Sequence, residues 1–329
     1  MRTKLVIAGL VLTLTALPFV SAFAQKPKPI VIKSITWGKL SSSDVHYFKR
    51  VMEEVNKRSD GQLVIDYAGG PEVIPAKDQG SAVSSGVIDM VSFPFTRVKA
   101  TVPEVDAIGI SSFSWAEERK NGWQDYFRKA LAERMNIYGV KIAINKYSPF
   151  MLFLNKKISS PKELTGLKLR SSSTYIAFLR DLGIVPVDMP PSEMYTAVER
   201  GVVDGFAYDA AACVRFQMFE VVKYYINHPF WYGNVSLFMN MKKWNSLPKN
   251  LQDLITNIVI ELEPEIERYL KDEQNRSVAK MNAEGMKPIT FSSADAAYFI
   301  GLSEKSQLNI LKKNCTPEQY KKITSLLGK

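Results

Sequence analysis

The chain is poor in the residues that build covalent or metal-held scaffolds: two cysteines, Cys213 and Cys315, and two histidines, His46 and His228, in 329 residues. Two cysteines so far apart supply neither a disulfide framework nor a metal-ligand spacing, and whether they pair is left open. Two histidines exclude a histidine-rich metal centre. Absent too are a Gly-x-Ser-x-Gly elbow, a phosphate-binding Gly-rich loop ending in Lys-Ser/Thr, a His-Glu-x-x-His pair and a dinucleotide fingerprint after the first strand. The carboxylate pairs Glu53-Glu54 and Glu117-Glu118 are adjacent in sequence, so on helices they diverge as solvated faces. An enzyme reading is left without a named residue, and no cofactor or metal is expected. The net charge of +10 is spread along the chain rather than clustered, so nucleic acid is not an expected partner.

Long apolar runs are missing everywhere but at the start. Arg2 and Lys4 precede an apolar stretch from Leu5 to Val20, and Ala22-Phe23-Ala24 fits the small-x-small rule for cleavage before Gln25. Residues 1–24 therefore read as a secretory signal peptide, which predicts an exported, periplasmic protein. The remainder, about 305 residues with a charge of about +8, is expected to be soluble and large enough for two lobes with ordinary cores.

One pattern occurs twice. Ala82-Val83-Ser84-Ser85-Gly86-Val87-Ile88-Asp89 returns 115 residues later as Ala197-Val198-Glu199-Arg200-Gly201-Val202-Val203-Asp204, each copy between a helix pattern and an apolar strand. The Gly can supply a left-handed helix stop and the Asp can bond backbone donors where the chain enters the strand. Around the first copy, Ile30–Trp37, Gln62–Ala68 and Val87–Phe93 read as strands, with helices from Ser43, as a possible cap, to Asp60 and around Lys77–Ser85. Around the second, Lys168–Arg170, Val185–Val187 and Val202–Tyr208 read as strands. From Ser246 a long helical pattern runs to about Ala283 with Pro264 inside, predicting a kink near Glu261 or two abutting helices.

The stretches Ser160-Pro161-Lys162-Glu163-Leu164-Thr165-Gly166-Leu167-Lys168-Leu169-Arg170, Met189-Pro190-Pro191-Ser192-Glu193-Met194-Tyr195-Thr196-Ala197-Val198 and Gly201-Val202-Val203-Asp204-Gly205 resemble the solute-binding proteins of tripartite ATP-independent periplasmic (TRAP) transporters. Asn240 to Pro248 resembles that family's next segment. The resemblance implies a two-lobed α/β periplasmic binding protein fold of type II-like form, with a hinge and a long lobe-spanning helix. The expected division is 26–147 plus about 236–277 for lobe I, and 148–235 plus about 278–329 for lobe II. It also implies closure on a small organic acid and delivery to a TRAP membrane permease driven by an ion gradient. A ligand-loaded partner of a membrane sensor kinase would use the same pocket.

The resemblance makes Arg170 the carboxylate ligand, which suits the planar fork of a guanidinium. Two departures bear on the acid. Many members carry a second Arg about twenty residues earlier, where Phe150 stands here, and an Asn after the Val-Asp-Gly run, where Tyr208 stands. As pocket residues these favour an apolar or aromatic monocarboxylate; as core residues they would say nothing of the ligand. Trp231 and Tyr232, before Gly233-Asn234, lie where the chain should cross back between lobes and serve either as stacking surfaces or as hinge packing. Trp37, Ser43 and Phe95 fall on sheet-end loops and are expected as first-lobe wall residues. His46 reads as either a pocket donor or a surface residue.

Overall fold

The computed structural model describes residues 28–111, 113–142 and 145–329, so the expected signal peptide and its cleavage point lie outside the described residues. The strands, in chain order, are β1 (Ile30–Thr36), β2 (Leu63–Gly69), β3 (Met90–Pro94), β4 (Ile137–Lys141), β5 (Asn145–Leu154), β6 (Lys168–Ser171), β7 (Val185–Asp188), β8 (Gly205–Asp209), β9 (Tyr224–Ile226), β10 (Trp231–Gly233), β11 (Val235–Asn240) and β12 (Lys287–Ile289). They form two sheets, in the orders β2-β1-β3-β11-β4 and β12-β9-β5-β8-β6-β7, with β10 paired to β5.

Each sheet is a copy of one plan. Three parallel strands lie in the order β2-β1-β3 or β7-β6-β8, and an antiparallel strand, β11 or β5, joins the third. The repeated sequence builds the same joint in both. Gly86 and Gly201 take φ of +81° and +68° at the helix stops, where a side chain would be strained. Beyond them Asp89 Oδ2 accepts from the Lys33 N–H at 2.9 Å, and Asp204 Oδ2 from the Lys168 N–H at 2.8 Å. Each Asp thus ties the start of the third strand to the first, at mid-strand in β1 and at the start of β6, aligning the carboxyl ends of the parallel strands where ligands of such sheets bind.

The strand pairs β4–β5 and β10–β11 carry the chain from one sheet to the other and back. A third crossing is the helix Lys249–Ala283, about 50 Å long at 1.5 Å per residue. Its Leu251 to Leu270 pack in the first lobe with Phe48, Val51 and Trp115, whereas Met281 packs in the second with Phe206 and Cys213. Of the two expected forms, a kink near Glu261 or two abutting helices, the second is excluded: this is a single helix with Pro264 inside it. The carbonyl that Pro264 cannot serve belongs to Ile260, which faces solvent.

The C-terminal region differs from the expected division. The helix Ser293–Asn314 starts in the second lobe, where Ser303 Oγ donates to the Phe230 carbonyl and Ser306 Oγ to Asp181. It ends in the first, where Asn314 Nδ2 donates to Asp106 at 3.1 Å. Leu311, Ile323, Leu326 and Leu327 then fill the first-lobe core beside Trp123 and Phe127, so the tail beyond that helix is not part of lobe II. The amphipathic pattern of the tail fixes an apolar face; tertiary packing alone decides which core receives it. Cys213 and Cys315 are unpaired, the former in the second-lobe core and the latter against the first.

The Val-Val-Asp-Gly run has its own physical cause. A Cβ on Gly205 would lie 1.9 Å from the backbone oxygen of Phe153 on β5. Gly205→Ala must therefore part β8 from β5, and it is expected to lower stability by about 3 kcal/mol or more in chemical denaturation. A variant as stable as the parent would contradict this pairing.

Candidate ligand-binding cleft

Between the lobes lies a cavity of about 770 Å³. Of the residues singled out in the sequence, Arg170, Tyr208, Phe150, Trp231, Trp37 and Ser43 line it, and Phe95 and Tyr232 do not. Phe95 is fully buried in the first-lobe core, edge-on to Phe127 with ring centroids 5.0 Å apart. The chain tightens into a 3-10 turn at Phe95–Val98, which turns Phe95 inward and leaves its neighbours Pro94, Thr96 and Arg97 on the cavity wall. Tyr232 alternates with Trp231 on the short strand β10 and packs against the first-lobe core instead. Ser43 begins a 3-10 turn before the helix His46–Arg58 and makes no capping bond. His46 stacks on Tyr269 of the long helix, centroids 3.7 Å apart, and does not line the cavity.

Arg170 sits near the carboxyl end of β6, between Val187 of β7 and Phe206 of β8. Only 2 % of it is exposed. Its Nε and Nη2 both donate to the Met189 carbonyl, at 3.0 and 2.9 Å, and Nη1 reaches the Ala207 carbonyl at 3.5 Å. Of five guanidinium N–H groups, one on each terminal nitrogen is left unspent. Among the described residues no carboxylate lies within salt-bridge distance of it, although a buried cation is stable only when paired or hydrogen-bonded. The Tyr208 ring lies 5.3 Å below the guanidinium, and Phe150 packs against Tyr208 at 5.2 Å and Tyr175 at 5.8 Å. Tyr175 itself is fixed by its hydroxyl, which donates to the Ala207 carbonyl at 2.7 Å. The cation is thus held by backbone carbonyls and walled by aromatic rings, with one donor on each terminal nitrogen unspent.

The opposite wall contains residues that the sequence reading missed, Asp44, Tyr47 and Trp115. Tyr47 and Trp115 stack with centroids 5.8 Å apart, and the buried Lys141 Nζ lies 4.2 Å from the centroid of the Trp115 ring. Lys141 pairs with Glu263 of the long helix, which also binds Arg119. Burial pushes Lys141 down to about 8 and the nearby Glu118 up to about 8, so this layer behind the wall is only partly charged near neutral pH. Asp44 and, from the second lobe, Asp209 approach each other at the edge of the cavity. Burial pushes Asp44 up to about 6, with Asp209 adding to the rise and Arg215 opposing it. Asp209 is raised by burial as well; its oxygens are already engaged by the Ala212 N–H at 2.7 Å and the Ser148 hydroxyl at 3.3 Å. Asp44 and Asp209 directly follow Ser43 and Tyr208 at sheet ends, which is the one sequence signal that would have found them.

At the hinge the Trp231 ring sits so close to Gly109 of the first lobe that a Cβ there would come within 2.5 Å of it. Trp231 also pairs with Phe150 in the β10–β5 register, so it both packs the hinge and lines the cavity. Across the cleft, Lys99 Nζ donates to the Ser173 carbonyl at 3.3 Å, bringing the lobes into contact.

Residues 35–314 match the family described as bacterial extracellular solute-binding protein, family 7. The chain is 22% identical over 287 residues to the C4-dicarboxylate-binding periplasmic protein DctP of Rhodobacter capsulatus, covering 85% of each chain. Among solved structures it resembles a TRAP periplasmic solute-binding protein from Desulfovibrio salexigens with bound orotic acid, with a TM-score of 0.79 and 19% identity over 91% of this chain and 97% of that one. It resembles equally an extracytoplasmic solute receptor of Bordetella pertussis binding pyroglutamic acid, with a TM-score of 0.78 and 15% identity over 91% and 100% of the chains. These likenesses establish the two-lobed α/β binding-protein fold.

Asp44 gives the cleft a pH signature. Its folded value, about 6, lies above its ordinary value of 3.8, so the folded protein holds this proton more tightly than the unfolded chain. The stability this confers is complete below the unfolded value and is lost as pH rises through about 6. Asp44→Asn should therefore be more stable than the parent at pH 7.5, by about 3 kcal/mol, and the difference should shrink as pH falls towards 4. Denaturation curves at both pH values check this; a difference independent of pH would contradict it.

Proposed function

The chain belongs to the bacterial extracellular solute-binding proteins of family 7, a family of transport proteins rather than enzymes, and we propose that its ligand is an apolar or aromatic monocarboxylate. In this reading the protein is exported with cleavage between Ala24 and Gln25, captures the acid by lobe closure and delivers it to the permease of a TRAP transporter. The observation that carries the reading is Arg170, a buried guanidinium with one N–H unspent on each terminal nitrogen and no carboxylate partner among the described residues. A ligand carboxylate supplies the missing charge and accepts both bonds. The aromatic surfaces of Phe150, Tyr175 and Tyr208 beside it favour an apolar body, and among the described residues the one other arginine on the cavity wall, Arg97, is exposed.

Closure follows from where these groups sit. Arg170 belongs to the second lobe and Trp37, Tyr47 and Trp115 to the first, so an acid held by the guanidinium gains the first-lobe contacts only when the lobes meet. Moving such an equilibrium from mostly open to mostly closed takes about 5 kcal/mol of differential binding, within reach of a buried charge-assisted fork plus apolar burial.

A thermal-shift screen against aliphatic and aromatic monocarboxylates, keto acids, dicarboxylates and sugar acids tests the ligand class. An acid at 100 times its dissociation constant adds about 2.7 kcal/mol. A rise confined to apolar monocarboxylates is expected; a rise with dicarboxylates or sugar acids would overturn the inference from Phe150 and Tyr208. Arg170→Lys keeps the charge and loses the fork, and it should weaken the best acid about 10- to 100-fold while folding normally. Unchanged affinity would remove Arg170 from the site.

A further inference from the structure

The first-lobe wall carries its own unmet demand. Among the described residues, Asp44 Oδ1 and Trp37 Nε1 are buried polar atoms without a hydrogen-bond partner. Both residues line the cavity that Arg170 faces, whereas the other unpartnered buried atoms belong to residues that do not. Native proteins rarely leave such groups unmade, because removal from water is then uncompensated. Two of them on one wall of one cavity are explained if the occupant satisfies them. An ionised aspartate carboxylate, the main form of Asp44 above about pH 6, only accepts, so its partner must be a donor; an indole N–H only donates, so its partner must be an acceptor. The neighbouring Asp209 has both oxygens engaged within its own lobe, which leaves Asp44 as the available acceptor.

We propose that Asp44 is a specificity-determining residue, and that the solute is an acid whose aromatic or apolar body carries an N–H or O–H group donating to Asp44 Oδ1. The inference rests on the reading of the cleft as an acid-binding site and refines it. Arg170 on the second lobe takes the carboxylate, and Asp44 on the first lobe takes the donor, so a single molecule bearing both groups bridges the lobes. Trp37 Nε1 donates to an oxygen of the same molecule. An acid without the donor still meets Arg170 but leaves Asp44 buried and unpaired on closure, which selects against it.

The test uses matched acids on the full exported protein in titration calorimetry: benzoate and phenylacetate, their ring-hydroxylated and ring-aminomethylated isomers, and phenylalanine. At least one donor-bearing acid should bind about tenfold or more tightly than its parent. The hydroxyl and ammonium arms distinguish a neutral from a charged donor. Asp44→Leu, of similar size without an acceptor, should abolish that preference, the donor-bearing acids losing their tenfold advantage over the parent acids. Parent acids that bind as tightly as every substituted isomer, or a preference that survives in Asp44→Leu, would overturn the role of Asp44 and leave the carboxylate site standing. If no acid of either kind binds, the acid-binding reading falls first. The wild-type comparison decides the matter by itself should Asp44→Leu fail to fold.

Discussion

A buried guanidinium without a counter-ion among the described residues is the constraint around which the molecule is arranged. Arg170 spends its inner donors on the carbonyls of Met189 and Ala207 and keeps one N–H on each terminal nitrogen for the cavity. Everything nearby serves to hold it there. The strand order β7-β6-β8 places it at a carboxyl edge, Asp204 fixes the start of β6 against β8, and Gly205 lets β5 close in on the other side. Tyr175, tied to the same Ala207 carbonyl, and Tyr208 beneath the cation complete an aromatic collar that excludes water from it. In so dry a setting an attraction to an anion is much stronger than at the surface.

The second lobe alone supplies half of what an enclosed solute needs, and the architecture reflects that. Two strand crossings, the long helix and the helix Ser293–Asn314 all pass between lobes. Such connections restrict how the lobes move without preventing their approach, as expected for hinge closure. The first-lobe wall is built on a stiff base: Tyr47 and Trp115 stack above Lys141, which is clamped to Glu263 of the long helix. Keeping Asp44 Oδ1 and Trp37 Nε1 unpaired costs stability, the usual trade of a site prepared for a partner.

Much of this was legible from residue order. The twofold Gly-Val-Ile/Val-Asp pattern announced two similar lobes because its Gly and Asp answer local backbone needs, a left-handed stop and a free amide at the strand start. Arg170 was legible through its motif at a strand end. Phe95 was misread because it was placed on a sheet-end loop facing the cleft, whereas the 3-10 turn there keeps its ring in the first-lobe core beside Phe93. Asp44, Tyr47 and Trp115 stayed hidden because their place on one cavity wall depends on how the lobes face each other, and only the position of Asp44 directly after Ser43 at a sheet end marked it in the sequence. The tail was assigned to the wrong lobe for the same reason: periodicity shows that Ile323 and Leu326 are buried, not what they are buried against.

The most direct test of the account is small-angle X-ray scattering of the wild-type protein and of Arg170→Ala, each with and without the acid that binds best. The account predicts a contraction on adding the acid to the wild-type protein and none in Arg170→Ala. Contraction of Arg170→Ala with unchanged affinity would contradict the claim that this guanidinium draws the lobes together.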